Sequence, residues 1–185
     1  MSQYHPPYVE LSEGPLRLRP PRLDEAELYA RWWCDEEVQW GFCSEARTAE
    51  EIRAAFPELE GEARDIGHWI DFVIELEGRP VGSIWLSRWD LDEATADLNI
   101  LIGEPELRRQ GLARQAIRLL LCWAFPTMEL RRVQLCPRED HVPAIRSYRG
   151  AGARLGDRAE DAVTWRGETI CFQELYFLPE DVARG

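Results

Sequence analysis

Arg108-Arg109-Gln110-Gly111-Leu112-Ala113-Arg114 packs three arginines and two small residues into seven positions of a chain whose net charge is −12. That is chemistry for an anion. Small residues at Gly111 and Ala113 let a phosphate come close to the backbone, and a helix first turn leaves N–H groups unpaired with partial positive charge. Arg108, Arg109, Arg114 and Arg118 add full charges. The stretch must then lie between a strand and a helix N-terminus. Residues 98–102 are a short apolar run with β-branched content, punctuated by Gly103 and Pro105, which reads as a buried strand. Apolar positions at 113, 116, 117, 120, 121 and 124 make the stripe of an amphipathic helix over 113–125. An ordinary strand–helix connection with solvated arginines is the bland alternative within the same frame.

A second segment follows in order, after a strand-like run over 132–136: Ala144-Ile145-Arg146-Ser147-Tyr148-Arg149-Gly150-Ala151-Gly152-Ala153. Arg108-x-x-Gly111-x-Ala113 resembles the pyrophosphate loop of the GNAT superfamily of acetyl-CoA-dependent N-acetyltransferases. The approach Ile102-Gly103-Glu104-Pro105-Glu106 is similar to that of the branch holding the ribosomal-protein N-terminal acetyltransferases. The later segment is similar to the family's Asn-x-x-Ala-Ile-x-x-Tyr-x-x-x-Gly-Phe pattern. Together the matches cover roughly residues 80–178.

The resemblance implies direct attack of an amine on the acetyl-CoA thioester. Backbone N–H groups across Arg109, Gln110, Gly111, Leu112, Ala113 and Arg114 would hold the pyrophosphate, with Arg108 opening the loop. The pantetheine arm would pair with the open backbone of Leu101, Ile102 and Gly103, where an N–H would also polarise the thioester carbonyl. Tyr148 falls at the general-acid tyrosine. Asp97, two residues before Asn99, stands where many relatives carry the glutamate base, and Glu104 is the runner-up. One departure matters: the asparagine ahead of Ala-Ile is His141 here, which can donate to the pantetheine, act as a base or sit exposed in a loop. Gly152-Ala153 replaces Gly-Phe.

Composition bounds the rest. The 185 residues suggest one domain, with an N-terminal arm over 1–13 and an N-acetyltransferase domain over 14–180. Net charge argues against a nucleic-acid partner. The run 1–10 lacks the apolar core of a secretory leader, and the longest apolar run is far short of a membrane span, so no membrane is expected. Five widely spaced cysteines and three histidines fit a reducing cytoplasm and no metal. All 22 basic residues are arginine, which rules out lysine-dependent chemistry.

The expected order is strand, two helices, three strands, helix, strand, helix and two strands. It predicts an α/β (α+β) domain with a mixed, mostly antiparallel sheet of about seven strands and about four helices. The strands are read at 16–19, 69–76, 80–86, 95–102, 133–136, 163–166 and 169–178. Asp24 is read as the cap of a first helix, 35–41 as a loop or broken helix, and Thr48 with Glu51 as the capping box of a helix kinked near Pro57. Twelve carboxylates lie in 24–62 against three arginines, which suggests an acidic wall for a cationic amine or merely solvated helix faces. Candidate acceptors are a protein N-terminus, an aminoglycoside or polyamine, and a small amine metabolite. A non-catalytic CoA-binding module of the same fold is the alternative of another class. A homodimer through the arm or through 175–178 is compatible with the sequence.

Overall fold

Val73, Trp85 and Leu101 pack against Tyr29, Trp32 and Trp33, whereas Phe72, Ile84 and Ile100 pack against Ile117, Leu120 and Leu121. Side chains in a strand alternate faces, so these neighbours in sequence serve two different cores. A sheet covered by helices on both faces follows, which is why its central strands read as continuous apolar runs.

The computed structural model describes residues 9–55, 69–90, 92–159 and 162–182. The elements are β1 Leu11–Glu13, β2 Leu16–Arg19, α1 Ala26–Trp33, α2 Glu36–Phe42, α3 Ala49–Ala55, β3 Trp69–Leu76, β4 Arg79–Asp90 and β5 Thr95–Ile102. Then come α4 Leu112–Thr127, β6 Arg132–Leu135, α5 Val142–Gly150, β7 Arg154–Arg158, β8 Val163–Trp165, β9 Glu168–Ile170, β10 Gln173–Phe177 and α6 Pro179–Val182. Eight strands form one sheet in the order β1-β2-β3-β4-β5-β6-β10-β7, and β8 with β9 is a separate hairpin. Among the named strand pairs of the sheet, only β5 with β6 is parallel. The connection between them is α4, whose Ala116, Ile117, Leu120 and Leu121 are fully buried.

The expected class holds, with more elements than expected. Leu11–Glu13 pairs with β2, so this part of the arm is a sheet edge; residues 1–8 lie outside the described residues. The last strand is broken: β9 stays with β8 and β10 returns between β6 and β7. β7 is Arg-Leu-Gly-Asp-Arg, mostly exposed, with no apolar alternation to announce it. Residues 35–41 are helical because the Asp35 carboxylate accepts the Val38 N–H at 3.0 Å.

Asp24 caps nothing. It lies in a 3₁₀ turn over Leu23–Glu25, and the Arg22 N–H is taken by Glu25 at 2.8 Å. That carboxylate also receives Arg19 at 3.0 Å, and Arg19 reaches Glu75 at 2.8 Å, so a buried ion triad ties α1 to the sheet. The Thr48–Glu51 capping box is present, with the Thr48 N–H on Glu51 at 2.7 Å and the Glu51 N–H on Thr48 at 3.2 Å. The kink at Pro57 lies outside the described residues.

Candidate functional site

The parallel ladder between β5 and β6 is short. It runs Thr95↔Arg132, Ala96↔Val133, Asp97↔Gln134 and stops, while β5 continues five residues along β4 to Ile102↔Gly82. The Gly103 N–H donates to Val81 O at 2.9 Å, which fixes the phase of that pairing. Odd-numbered residues of β5 therefore turn their N–H and C=O toward β4, and even-numbered ones turn toward β6. Where β6 has diverged, the N–H and C=O of Ile100 and the N–H of Ile102 face a gap. That gap is a cleft of about 330 Å³, at the small end of ligand sites.

At the cleft's end the chain turns into α4. Gly111 is the N-cap at φ +84°, a conformation that costs most residues strain, and a Cβ there would point into open space. The first intrahelical bond is Gln115 N–H to Gly111 O at 3.2 Å, so the N–H groups of Leu112, Ala113 and Arg114 have no helical partner. Gly111, Leu112 and Ala113 line the cleft. Gln110 does not line it; its side-chain amide donates to Glu106 O and braces the turn.

Arg108 and Arg109 line the cleft, and Arg108 is also held by the protein itself. Nε donates to Ile102 O at 2.9 Å, Nη1 to Glu37 at 3.0 Å, and Nη2 lies 3.1 Å from Asp35. Those contacts fix the loop to β5 and to the start of α2. Arg114, Arg118, Arg146 and Arg149 form no salt bridge with a described carboxylate, and Arg109 lies only 3.9 Å from Glu37 with an exposed side chain. Arg109 precedes α4, Arg114 and Arg118 lie in its first two turns and Arg146 and Arg149 on α5, and the Arg114 stem is 3.7 Å from a Cβ placed on Gly150.

α5 brings Tyr148 and Ser147 to the same cleft. Burial pushes the Tyr148 hydroxyl up to about 12, so it keeps its proton. His141, at the N-terminus of α5, also lines the cleft and packs edge-on against Trp40 with centroids 4.9 Å apart. Burial pushes its pKa down, so the ring is neutral. Its Nδ1 is buried and has no partner among the described residues, which suits a hydrogen bond to a bound chain. Arg138, fully buried, stacks on the other side of this unit, 4.1 Å from Trp40 and bidentate to Asp140 at 2.9 and 2.8 Å.

Next to the cleft, over Trp85 and Ser87 of β4, lies a second pocket, lined by Trp33, Trp69, Trp85, Arg47 and Arg88 among others. Phe42 and Asn99 line both spaces. Asn99 donates to Ser87 Oγ at 3.2 Å and stands at the junction.

The carboxylates lie elsewhere. Asp97 is on the same face of β5 as Asn99 but lines neither space; it accepts Gln134 Nε2 at 3.0 Å and is ion-paired with Arg88. Glu104 accepts Trp32 Nε1 and Arg31 at 3.0 Å and Arg79 at 2.7 Å. Burial raises its pKa, but the bonds from Trp32 and Arg31 and the two arginine charges outweigh that and hold it below the usual range. It lines neither space and braces α1 against the end of β5. The glycine beside it is also structural: a Cβ on Gly103 would sit 2.2 Å from the Trp32 ring. The expected acidic wall is neutralised in part. Glu27 meets Arg53, Asp35 and Glu37 meet Arg108, and Glu45 meets Arg166. Glu58, Glu60 and Glu62 lie outside the described residues.

Residues 15–154 match the family described as the acetyltransferase (GNAT) domain. The chain belongs to this family. It is 25% identical over 130 residues to an N-acetyltransferase 9-like protein of Caenorhabditis briggsae, covering 64% of each chain. It is 25% identical over 145 residues to an alpha/beta-tubulin-N-acetyltransferase 9 of Mus musculus, covering 71% of this chain and 58% of the mouse protein. The chain thus spans less than two thirds of the length of either relative. Its fold is that of a spermidine N-acetyltransferase from Vibrio cholerae, solved with CoA and spermine: TM-score 0.80, 17% identity, 92% of this chain and 99% of that one. Among the described residues of this GNAT domain no helix is long and apolar enough to cross a membrane, and no group of three His, Cys, Asp or Glu side chains could hold a metal ion.

The structure moves the open backbone by one residue. Leu101 and Gly103 are paired with β4, whereas Ile100 and Ile102 face the cleft. The sequence carries no signal for this, because the phase belongs to the partner strand. Only the α4–α5 packing brings the Arg114 stem against Gly150 at the end of α5.

Proposed function

We propose that this GNAT domain transfers an acetyl group from acetyl-CoA to a primary amine by direct attack. One observation carries the reading. The splayed end of β5 offers unpaired groups at Ile100 and Ile102, and the strand leads to a helix N-terminus without a side-chain cap, with Arg108 and Arg109 before it and Arg114 in its first turn. An extended chain bearing amide groups can add to such a strand, and a pyrophosphate suits the helix start.

Bound acetyl-CoA supplies the activated acetyl group. The protein's part is positional and electrostatic. An N–H of Ile100 or Ile102 donates to the thioester carbonyl oxygen as negative charge develops there. Tyr148 keeps its proton until the thiolate leaves, then hydrogen-bonds and protonates the sulfur. Asn99 orients the amine where the two spaces meet. The ammonium proton passes by water to Asp97, two residues along the same face. His141 holds the arm through Nδ1.

Calorimetry with acetyl-CoA, then release of free CoA thiol against an amine panel, tests this. Binding with turnover supports it. Binding without turnover on any amine supports a CoA-binding module instead, a reading consistent with the ion pairing of both Asp97 and Glu104. No binding removes both.

A further inference from the structure

The second pocket is built from stacked rings. Trp69 and Trp85 lie 5.5 Å apart at 17°, Phe42 and Trp85 5.5 Å apart at 18°, and Trp33 and Phe42 5.1 Å apart. Aromatic walls alone would welcome a cation. Here that place is taken. The Arg47 guanidinium lies 4.5 Å over the Trp33 ring, and it forms no salt bridge among the described residues.

A second guanidinium reaches the same pocket from Arg88. The β4–β5 register shifts between Ser87 and Asp90, and Arg88 sits there at φ +49°. A bulge of this kind re-aims a side chain, and a left-handed arginine is a strained choice kept for a reason. Its side chain is 83% exposed and covers Asp97. Among the described lining residues no carboxylate balances the two arginines. Outside the lining, Asp97 pairs with Arg88, and Glu51 at the start of α3 feels the Arg47 charge.

We propose that this pocket takes a peptide N-terminus with an apolar first residue and an acidic residue next to it, not a polycation. The proposal rests on the acetyltransferase reading. The amine reaches Asn99 at the junction with the cofactor cleft. The first side chain lies on Trp85 and Phe42. The carboxylate meets Arg47, whose guanidinium can offer it a bidentate bond, and Arg88 beside it. A polyamine would set like charges against both arginines, and like charge is what excludes a wrong partner.

The test uses the full chain, acetyl-CoA and four acceptors: Met-Asp-Glu, Met-Ala-Ala and Met-Arg-Arg peptides, and spermidine. Initial rates of thiol release are expected to give Met-Asp-Glu a kcat/KM at least tenfold above Met-Ala-Ala, Met-Arg-Arg and spermidine. Arg47→Gln should lower that preference over Met-Ala-Ala by about tenfold, mainly through KM, and Arg47→Glu should invert it. Circular dichroism checks that the variants fold. Acceptor binding is followed separately by quenching of tryptophan fluorescence with CoA present. Saturable binding of Met-Asp-Glu, weakened in Arg47→Gln, with no acetyl transfer would support the pocket while removing the enzymatic reading. A preference for spermidine or Met-Arg-Arg, a preference unmoved by Arg47→Gln, or no binding of Met-Asp-Glu would each overturn the proposal.

Discussion

The Nε of Arg108 donates to the carbonyl oxygen of Ile102 at 2.9 Å, closing the loop that begins at the end of β5. The same guanidinium reaches Glu37 at 3.0 Å and Asp35 at 3.1 Å. One planar group thus fixes β5, α2 and the start of α4 relative to one another. Arg108→Ala is expected to weaken CoA binding roughly tenfold, or about 1.4 kcal/mol, by loosening the loop. Arg108→Lys should recover little, because an ammonium is not a fork. Calorimetry on both variants checks this; wild-type affinity in Arg108→Lys would show that charge alone matters.

Tyr148 lines the cleft and packs its ring against the core. Tyr148→Phe is expected to lower kcat by about 10² or more while leaving CoA affinity within a few-fold. Because burial holds Tyr148 up at about 12, it contributes no limb to the pH–rate profile below pH ~10. A falling alkaline limb near neutrality that vanishes in Tyr148→Phe would contradict this.

Gly103 meets Trp32 more closely than any side chain allows, with 2.2 Å to the ring from an added Cβ. Trp32 is itself only 1% exposed. Gly103→Ala must push the indole or the strand aside, at an expected cost of about 1–3 kcal/mol. Urea denaturation reads the loss directly; an unchanged midpoint would mean that Trp32 moves freely.

Asp71 is buried under α1, with Ser83 Oγ donating to it at 2.6 Å. Burial raises its pKa to about 7, against the bonds from Ser83 and the backbone of Phe72, which lower it. An unfolded aspartate titrates near pH ~3.9. Between those values the folded state binds more protons than the unfolded one, so stability falls as pH rises from about 4 to 7 and the loss is complete above. The loss is on the order of 4 kcal/mol by that interval. Asp71→Asn should flatten this slope and raise stability at pH 8, as urea curves at pH 5 and pH 8 would show. An equal slope in wild type and variant would contradict the assignment.

The helix after the arginine loop and the strand before it were legible because each carries a full period of apolar residues, 113 through 124 and 98 through 102. The capping box at Thr48 and Glu51 was legible because two side chains three apart suffice to make it. β7 was not, since an exposed strand needs no apolar alternation. α2 was hidden because its reason is one carboxylate, Asp35, on one N–H. The site split the same way. Gly111 and Ala113 were read from a loop before a helix and Tyr148 from the family motif, but whether an arginine faces a ligand depends on a partner far away in the chain. Arg108 shows this: its carboxylate partner Glu37 is 71 positions distant. Phe42 and Asn99 became a junction only when α2 was laid over β5.

The ladder that ends at Asp97↔Gln134 leaves a mark readable without any ligand. Along one buried strand, the amides of Leu101 and Gly103 are bonded to β4, while those of Ile100 and Ile102 open on the cleft. Hydrogen–deuterium exchange should therefore alternate residue by residue, slow at 101 and 103 and fast at 100 and 102. Adding CoA should slow the fast pair and leave the slow pair as they were, so that the strand itself records whether a second chain has been laid along it.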